Sequence, residues 1–209
     1  MRIVLATRNA GKIGEIRSIL SGLDLELVEM NAFPDVPEPP EDGDTFYENA
    51  LVKAKTVHEA TGMAALADDS GLEVEALDGA PGVHSARYGG PGLSDLKRSM
   101  KLISAVSSIP EEKRDARFRC VMVYYPSPEG RDGALVTEGF LYGKIAFEPA
   151  GENGFGYDPI FLVPERGITV AQMPSGEKNR ISHRYRALVE MKWMLIRRLN
   201  LKYREPESC

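Results

Sequence analysis

The residues best suited to chemistry are two adjacent acids, Asp68 and Asp69, followed by Ser70-Gly71 at the end of the apolar run Met63 to Ala67. Neighbouring carboxylates repel one another. A divalent cation relieves the repulsion, and Mg2+ prefers oxygen ligands. A carboxylate in this setting can also take a proton from water. Successive strand residues point to opposite faces, so only one of the two acids is expected to look into a site. Gly71 would let the backbone turn tightly. The plainer reading is a solvated turn with Asp and Ser as hydrogen-bonding breakers. The apolar residues on both sides argue against a free edge.

Four other segments carry suitable groups. Thr7-Arg8-Asn9-Ala10-Gly11-Lys12 lies between a strand and a helix start, where free N–H groups and the helix dipole favour an anion. Lys12 in the first turn opposes that dipole, a cost that a nearby phosphate would offset. This is not a Walker loop, which would need Gly at Ala6 and Ser or Thr at Ile13; without a ligand it is an ordinary polar turn. Lys53, four residues after Asn49 and beside Phe46 and Ala50, falls on the inward stripe of its helix. A lysine there is costly unless paired or snorkelling. A phosphate or an acid such as Glu41 would pair it; otherwise it is an amphipathic lysine at the stripe edge. Gly154-Phe155-Gly156-Tyr157-Asp158-Pro159 sets rings between glycines, so a flat base could stack on Phe155; taken alone the segment reads first as a hairpin turn with core aromatics. Ser175 to Arg184 gathers Lys178, Arg180, His183 and Arg184 before or at the start of the last helix, capped by Ser182. His183 can donate to a carbonyl oxygen and Arg184 offers a planar fork of donors; the alternative is a basic solvated loop. His58 reads as helix surface and His84 as loop. No His/Cys spacing suggests zinc.

The elements that must position these groups follow from pattern. Arg2 to Ala6 is a short strand, and Ile13, Ile16 and Leu20 form one helical stripe. Leu25 to Met30 is a second strand. Residues 34 to 44 hold four prolines and five acids and form a loop. Thr45-Phe46-Tyr47-Glu48 is a capping box that opens a helix with Phe46, Ala50, Ala54 and Val57 facing inward. Met63 to Ala67 is a strand, and Leu72 to Leu77 is expected to pair beside it. Residues 78 to 92, with five glycines and two prolines, form a loop. Ser94 caps a helix with Leu96, Met100 and Ile103 expected inward. Arg117 to Tyr125 and Ala134 to Tyr142 read as a meander, extended by Ile145 to Glu148 and by Ile160 to Val163. The last helix is expected from Ser182 to Leu199, with Leu188, Met191, Leu195 and Leu199 aligned. The order β-α-β-α-β, then meander, then helix, gives an α/β fold with a mixed sheet.

Composition bounds the function. At 209 residues the chain forms one large domain or one domain with two lobes. The net charge of −5 argues against wrapping nucleic acid, and not against a small anionic ligand in a locally positive cleft. The basic stretch Arg197 to Arg204 suits a helix C-terminus. Cys120 reads as a buried thiol and Cys209 as exposed, which fits a reducing cytosol. The apolar start, Ile3 to Ala6, is too short for a signal segment, and no run approaches a membrane span.

Taken together, the segments resemble the inosine triphosphate pyrophosphatase family, which includes the bacterial dITP/XTP pyrophosphatases. The motifs are Leu5-Ala6-Thr7-x-Asn9-x-x-Lys12, Thr45-Phe46-x-Glu48-Asn49-Ala50-x-x-Lys53-Ala54 and Ala67-Asp68-Asp69-Ser70-Gly71-Leu72. They continue with Gly79-Ala80-Pro81-Gly82-Val83-x-Ser85-Ala86-Arg87-Tyr88, Gly154 to Phe161 and Ser182-His183-Arg184. Six motifs in the family's order span nearly the whole chain. Asp42 stands where a threonine is common, and Tyr185 where a small residue is often found.

The resemblance implies an elongated mixed sheet flanked by helices, with two lobes around a nucleotide cleft, in a single domain over 1–209. It implies a cytoplasmic, homodimeric, Mg2+-dependent enzyme with no nucleic-acid or membrane partner. Its reaction would convert ITP, dITP or XTP to the monophosphate and pyrophosphate. On this resemblance Glu41 and Asp69 hold the metal and Asp69 is the general base. Thr7, Asn9 and Lys12 bind nucleotide, Lys53 and Lys178 contact phosphate, and Ser70 contacts substrate. Phe155, Gly156, Tyr157, Asp158, His183 and Arg184 bind the base. Two rivals are a pyrophosphatase for modified pyrimidine or methylated nucleotides and a non-catalytic nucleotide sensor; the paired acids speak against the sensor.

Overall fold

A computed structural model describes residues 1–126 and 133–204. Cys209 and the turn before Ala134 therefore lie outside the described residues. The elements are β1 (Arg2–Leu5), α1 (Ala10–Leu20), β2 (Glu26–Glu29), α2 (Phe46–Thr61), β3 (Ala64–Val74) and α3 (Asp95–Ala105). They are followed by β4 (Asp115–Tyr125), β5 (Leu135–Ile145), β6 (Phe161–Val163), β7 (Ile168–Thr169), α4 (Ser175–Ile181) and α5 (His183–Leu199). One seven-stranded sheet runs in the order β2-β1-β3-β4-β5-β6-β7. β1 pairs in parallel with β2 and β3, whereas β5–β6 and β6–β7 are antiparallel. The mixed α/β sheet and its C-terminal meander are as the pattern predicts; β7 is too short to leave a periodic signal.

The chain divides into two compact units. One comprises Met1–Asp69, Cys120–Gly139 and Arg184–Cys209; the other comprises Ser70–Arg119 and Phe140–His183. In the first unit, strand alternation sorts side chains to two faces. Ile3 and Leu5 of β1, Ala64 and Leu66 of β3, and Cys120 and Met122 of β4 pack with Ile13, Ile16 and Leu20 of α1 and with Leu188, Met191 and Leu195 of α5. Val4, Ala6, Ala65, Ala67 and Val123 face the other way, against Ala50, Ala54 and Val57 of α2. The second unit has its own core of Leu72, Val74, Leu102, Val106, Phe118, Ile160 and Phe161.

Helix starts follow the local chemistry. Thr45 and Glu48 form the expected capping box on α2, and Ser94 caps α3 by accepting from the Lys97 N–H. Four expectations are corrected. β3 does not end at Ala67: it runs through Asp68-Asp69-Ser70-Gly71 to Val74, so Gly71 makes no turn and Leu72 to Val74 continue the same strand. β1 pairs with β3 along Ala64–Leu66, and the rest of the strand stays extended with β4 as its sheet neighbour. On α3, Leu96 and Met100 are 61% and 48% exposed, while Ser99 and Leu102 are buried. The inward stripe is Ser99, Leu102 and Val106, and Ser99 is tolerated there because its hydroxyl donates to the Gly156 carbonyl. β5 ends at Ile145 rather than continuing to Glu148. Residues 175–181 form a short helix of their own, α4, closed by Ser182, which is extended and donates to the Asn179 carbonyl; the last helix, α5, begins at His183 and ends at Leu199, as expected to within a residue. His58 is buried, with Nδ1 2.8 Å from the Met63 carbonyl and its ring against Tyr125. Cys120 is buried as expected. No described helix is long and apolar enough to cross a membrane.

Candidate active site

The alternation of β3 decides where its two acids go. Asp68 follows Ala64 and Leu66 onto the face covered by α1 and α5; Asp69 follows Ala65 and Ala67 onto the face covered by α2. Each is buried and each meets cations from its own face. Asp68 Oδ2 takes Lys12 Nζ at 2.9 Å and Arg184 Nε at 3.2 Å. The Arg184 guanidinium also donates from Nη1 to Glu15 Oε2 at 2.7 Å. Burial pushes the Asp68 carboxyl up, but Lys12 and Arg184 more than reverse this and hold it well below the usual carboxylate range.

Asp69 is set differently. Its Oδ1 takes Lys53 Nζ at 2.7 Å, and its Oδ2 accepts from Asn49 Nδ2 at 3.2 Å. The same Lys53 ammonium reaches Glu41 Oε1 at 2.5 Å. Burial raises the Asp69 carboxyl above its ordinary value; Lys53 and Asn49 pull it back only in part, and Glu41 adds to the rise. Burial works against the charge on Lys53, but Asp69 and Glu41 more than compensate, so its ammonium is held protonated. Asp69 is thus a carboxylate with raised basicity, beside a second carboxylate and one shared cation.

This arrangement bears on a divalent ion. Glu41 and Asp69 aim hard oxygen donors at one cationic centre, now the Lys53 ammonium. That donor set suits Mg2+, which is commonly held by one or two carboxylates with substrate phosphates completing its shell. Among the described residues no three of His, Cys, Asp and Glu converge to hold a metal alone.

The start of α1 adds polar groups nearby in sequence. Asn9 caps the helix by accepting from the Lys12 N–H at 3.2 Å, and Thr7 Oγ1 accepts from the Asn9 N–H. Asn9 is therefore already used as a cap, and Lys12 leans on Asp68 rather than standing free at the helix end.

The second unit holds another cluster. Gly154 has φ +82°, and a Cβ there would lie 2.1 Å from Asp158 Oδ2. That oxygen accepts from the Phe155 N–H at 2.9 Å and from Lys178 Nζ at 2.6 Å. Lys178 Nζ lies 4.6 Å from the Phe155 ring centroid, and that ring is 42% exposed. Gly156 donates its N–H to Asp95. Tyr157 belongs to the core, its hydroxyl donating to the Ser85 carbonyl. The His183 ring stacks on Phe118. Ser70 is half-buried on β3.

Of the sequence candidates, Glu41, Lys53 and Asp69 meet directly, and Lys12 meets Arg184 through Asp68. Phe155, Asp158 and Lys178 meet in the second unit. Arg184, read from sequence as a donor to a base, has two of its donors on carboxylates of its own unit. Glu15 was missed, although an acid three residues after Lys12 and next to Ile16 of the buried stripe signals a buried partner. Asn49 stands in a matched motif without a role, yet its spacing from Lys53 already places both on one helix face.

Comparison with known proteins places this geometry in a family context. The Ham1 family profile matches residues 3–194. The chain is 51% identical over 191 residues to the dITP/XTP pyrophosphatase of Geobacter sulfurreducens, covering 91% of this chain and 94% of that one. A solved HAM1 protein from Coxiella burnetii superposes with TM-score 0.88 at 42% identity, covering 94% of this chain and 99% of that one. A solved nucleoside-triphosphatase / dITP/XTP pyrophosphatase from Mycobacterium abscessus gives TM-score 0.76 at 42% identity, covering 91% and 98%.

Proposed function

The chain belongs to the Ham1 family, and from that premise we propose that it hydrolyses non-standard purine nucleoside triphosphates (ITP, dITP and XTP) to the monophosphate and pyrophosphate. The observation that carries the reading is the near full-length match at 51% identity to a dITP/XTP pyrophosphatase. The geometry supports it: a buried carboxylate of raised basicity, Asp69, and a second carboxylate, Glu41, share the ammonium of Lys53.

Asp69 acts as the general base. It orients a water toward the α-phosphorus and takes its proton as the water attacks, and its raised basicity brings it nearer the operating pH. The bond from the α-phosphorus to the bridging oxygen breaks, and pyrophosphate leaves. Lys12 and Lys53 turn their ammonium groups from carboxylates to phosphate oxygens. Glu41 and Asp69 would hold Mg2+, which when bound supplies charge neutralisation for the triphosphate. Phosphoryl transfer asks mainly for positioning and electrostatics, so no Cys or Ser nucleophile is needed. Thr7, Asn9, Ser70 and Lys178 are assigned to substrate by the resemblance. The same holds for the base contacts Phe155, Gly156, Tyr157, Asp158, His183 and Arg184. Donors to the 6-keto oxygen would be left unpaired by adenine, a mismatch worth a factor of about 10⁴ or more. The reading also includes a homodimer in the cytoplasm.

The test is a panel of ITP, dITP, XTP, ATP, GTP and modified pyrimidine triphosphates, assayed for pyrophosphate release with and without Mg2+. Turnover confined to ITP, dITP and XTP and requiring Mg2+ is the expected result. Preferred turnover of a modified pyrimidine, or binding without turnover, overturns it.

A further inference from the structure

Asn49 of α2 is 1% exposed, and its side chain is used at both ends. Its Nδ2 donates to Asp69 Oδ2 at 3.2 Å, and its Oδ1 accepts from the Gly43 backbone N–H at 2.8 Å. Gly43 lies two residues after Glu41 in the proline-rich loop. One buried amide therefore ties the acid on β3 to the loop that carries the other acid. Lys53, one helical turn on, ties the same two acids through Asp69 Oδ1 and Glu41 Oε1.

The two ties differ in what happens when a cation arrives. Lys53 is itself a cation and competes with an ion for the very oxygens it holds. Asn49 is neutral, grips the other oxygen of Asp69, and holds the loop by its backbone. Its two bonds can persist when Oδ1 and Oε1 turn to a metal. An amide suits this place because it is a donor at one end and an acceptor at the other. Leucine would fill the volume and leave the Gly43 N–H and an Asp69 lone pair unsatisfied in a buried setting. The space is also tight from the loop side: a Cβ on Gly43 would lie 2.8 Å from Asn49 Oδ1 and 2.9 Å from Glu48 Cβ.

We infer that Asn49 is a positioning residue that presets Glu41 and Asp69 for a divalent cation. The inference rests on the assignment of that ion to Glu41 and Asp69. Partners that orient metal ligands are worth about 10- to 100-fold in metal affinity.

The experiment is Mn2+ binding without nucleotide, read from the electron paramagnetic resonance signal of free Mn2+, on wild type, Glu41→Gln, Asp69→Asn, Asn49→Ala, Asn49→Ser and Gly43→Ala. Asn49→Ala and Asn49→Ser should weaken binding by about 10-fold or more. Gly43→Ala should act in the same direction, and the Asn49→Ala/Gly43→Ala double variant should be no weaker than Asn49→Ala alone, because both break one contact. Hydrogen exchange at the Gly43 amide should speed up in both Asn49 variants. Half-saturation of dITP turnover by Mg2+ should rise. A merely structural role would lower the melting midpoint and leave Mn2+ affinity unmoved. If Asn49→Ala does not fold, Asn49→Ser carries the test. Wild-type affinity in the Asn49 variants, with Glu41→Gln and Asp69→Asn weakened, overturns the role of Asn49. Binding that survives both Glu41→Gln and Asp69→Asn overturns the metal assignment itself, and the inference with it.

Discussion

Replacing Arg184 by Met removes the most deeply buried cation of the first unit. Its guanidinium is 3% exposed and bridges Glu15 and Asp68, whose side chains are 9% and 0% exposed. The variant leaves two buried carboxylates, with Lys12 still paired to Asp68. Breaking a buried pair by truncating one partner costs about 3–5 kcal/mol, because the stranded charge stays buried. In a chain of this size each kcal/mol moves the melting midpoint by about 2–4 °C, so a loss of about 10 °C is expected by circular dichroism at neutral pH. The pH dependence gives a second reading. In the wild type the folded Asp68 pKa lies below its unfolded value, despite burial, because of Lys12 and Arg184. That contribution is present above about pH 4 and is lost as pH falls through the folded value. In the variant the folded pKa rises toward or past the unfolded one. The gap between the two proteins should therefore be full near neutrality and narrow as the pH falls through about 4 and below. A midpoint within about 2 °C of wild type at neutral pH, or a gap that widens in acid, refutes the argument.

Other outcomes follow from the same contacts. Asp69→Asn should abolish dITP hydrolysis while dITP binding stays measurable by calorimetry; an active variant removes Asp69 from the role of base. Lys53→Met should strengthen Mn2+ binding severalfold, because a competing ammonium leaves Glu41 and Asp69, yet lower dITP turnover; weaker Mn2+ binding contradicts the shared-cation geometry. Gly154→Ala forces a side chain onto φ +82° and into Asp158 Oδ2. The backbone strain alone is worth about 1–3 kcal/mol, so an unchanged urea midpoint would count against the loop conformation. Thr45→Ala removes a capping box and should cost about 1 kcal/mol of stability with kcat unchanged, checked by thermal melts beside dITP kinetics.

Much of this was legible in the sequence because it is local. The capping box at Thr45 and the stripes of α1, α2 and α5 depend on residues within a turn or two of each other. Strand alternation alone separates Asp68 from Asp69, and the structure bears it out. What was not legible depends on residues far apart. Asp68-Asp69-Ser70-Gly71 has the composition of a turn, and it stays extended within a strand that neighbours β4, with cations from α1, α2 and α5 neutralising its acids. On α3 two stripes compete at helical spacing. Leu96 and Met100 look more apolar, yet Ser99, Leu102 and Val106 face the core with Ile103 packed beside them, since the Gly156 carbonyl gives the serine a partner. Arg184 reads from sequence as an exposed donor at a helix start; Glu15, the residue that makes it a buried one, is 169 positions away.

The charge balance of the first-unit groups bears on the proposed pairing of an anionic substrate with a cation. Lys12, Lys53 and Arg184 supply three positive charges against four negative ones on Glu15, Glu41, Asp68 and Asp69. A triphosphate approaching this cluster meets lysines already held by carboxylates. To take Lys12 and Lys53 it must draw them from Asp68 and from the Asp69–Glu41 pair. Asp68 keeps Arg184, shared with Glu15, as a counter-charge when Lys12 leaves. Asp69 and Glu41 share a single cation, and losing Lys53 leaves both facing a polyanion with Asn49 as a neutral donor. A divalent ion placed there compensates the acids and the phosphate oxygens at once, and each ligand then tightens the other by the same factor. On the proposed reading, the asymmetry between the two acids, one held by two cations and the other by one, favours Asp69 over Asp68 for the ion and leaves Asp68 as the anchor that keeps Lys12 at the head of α1.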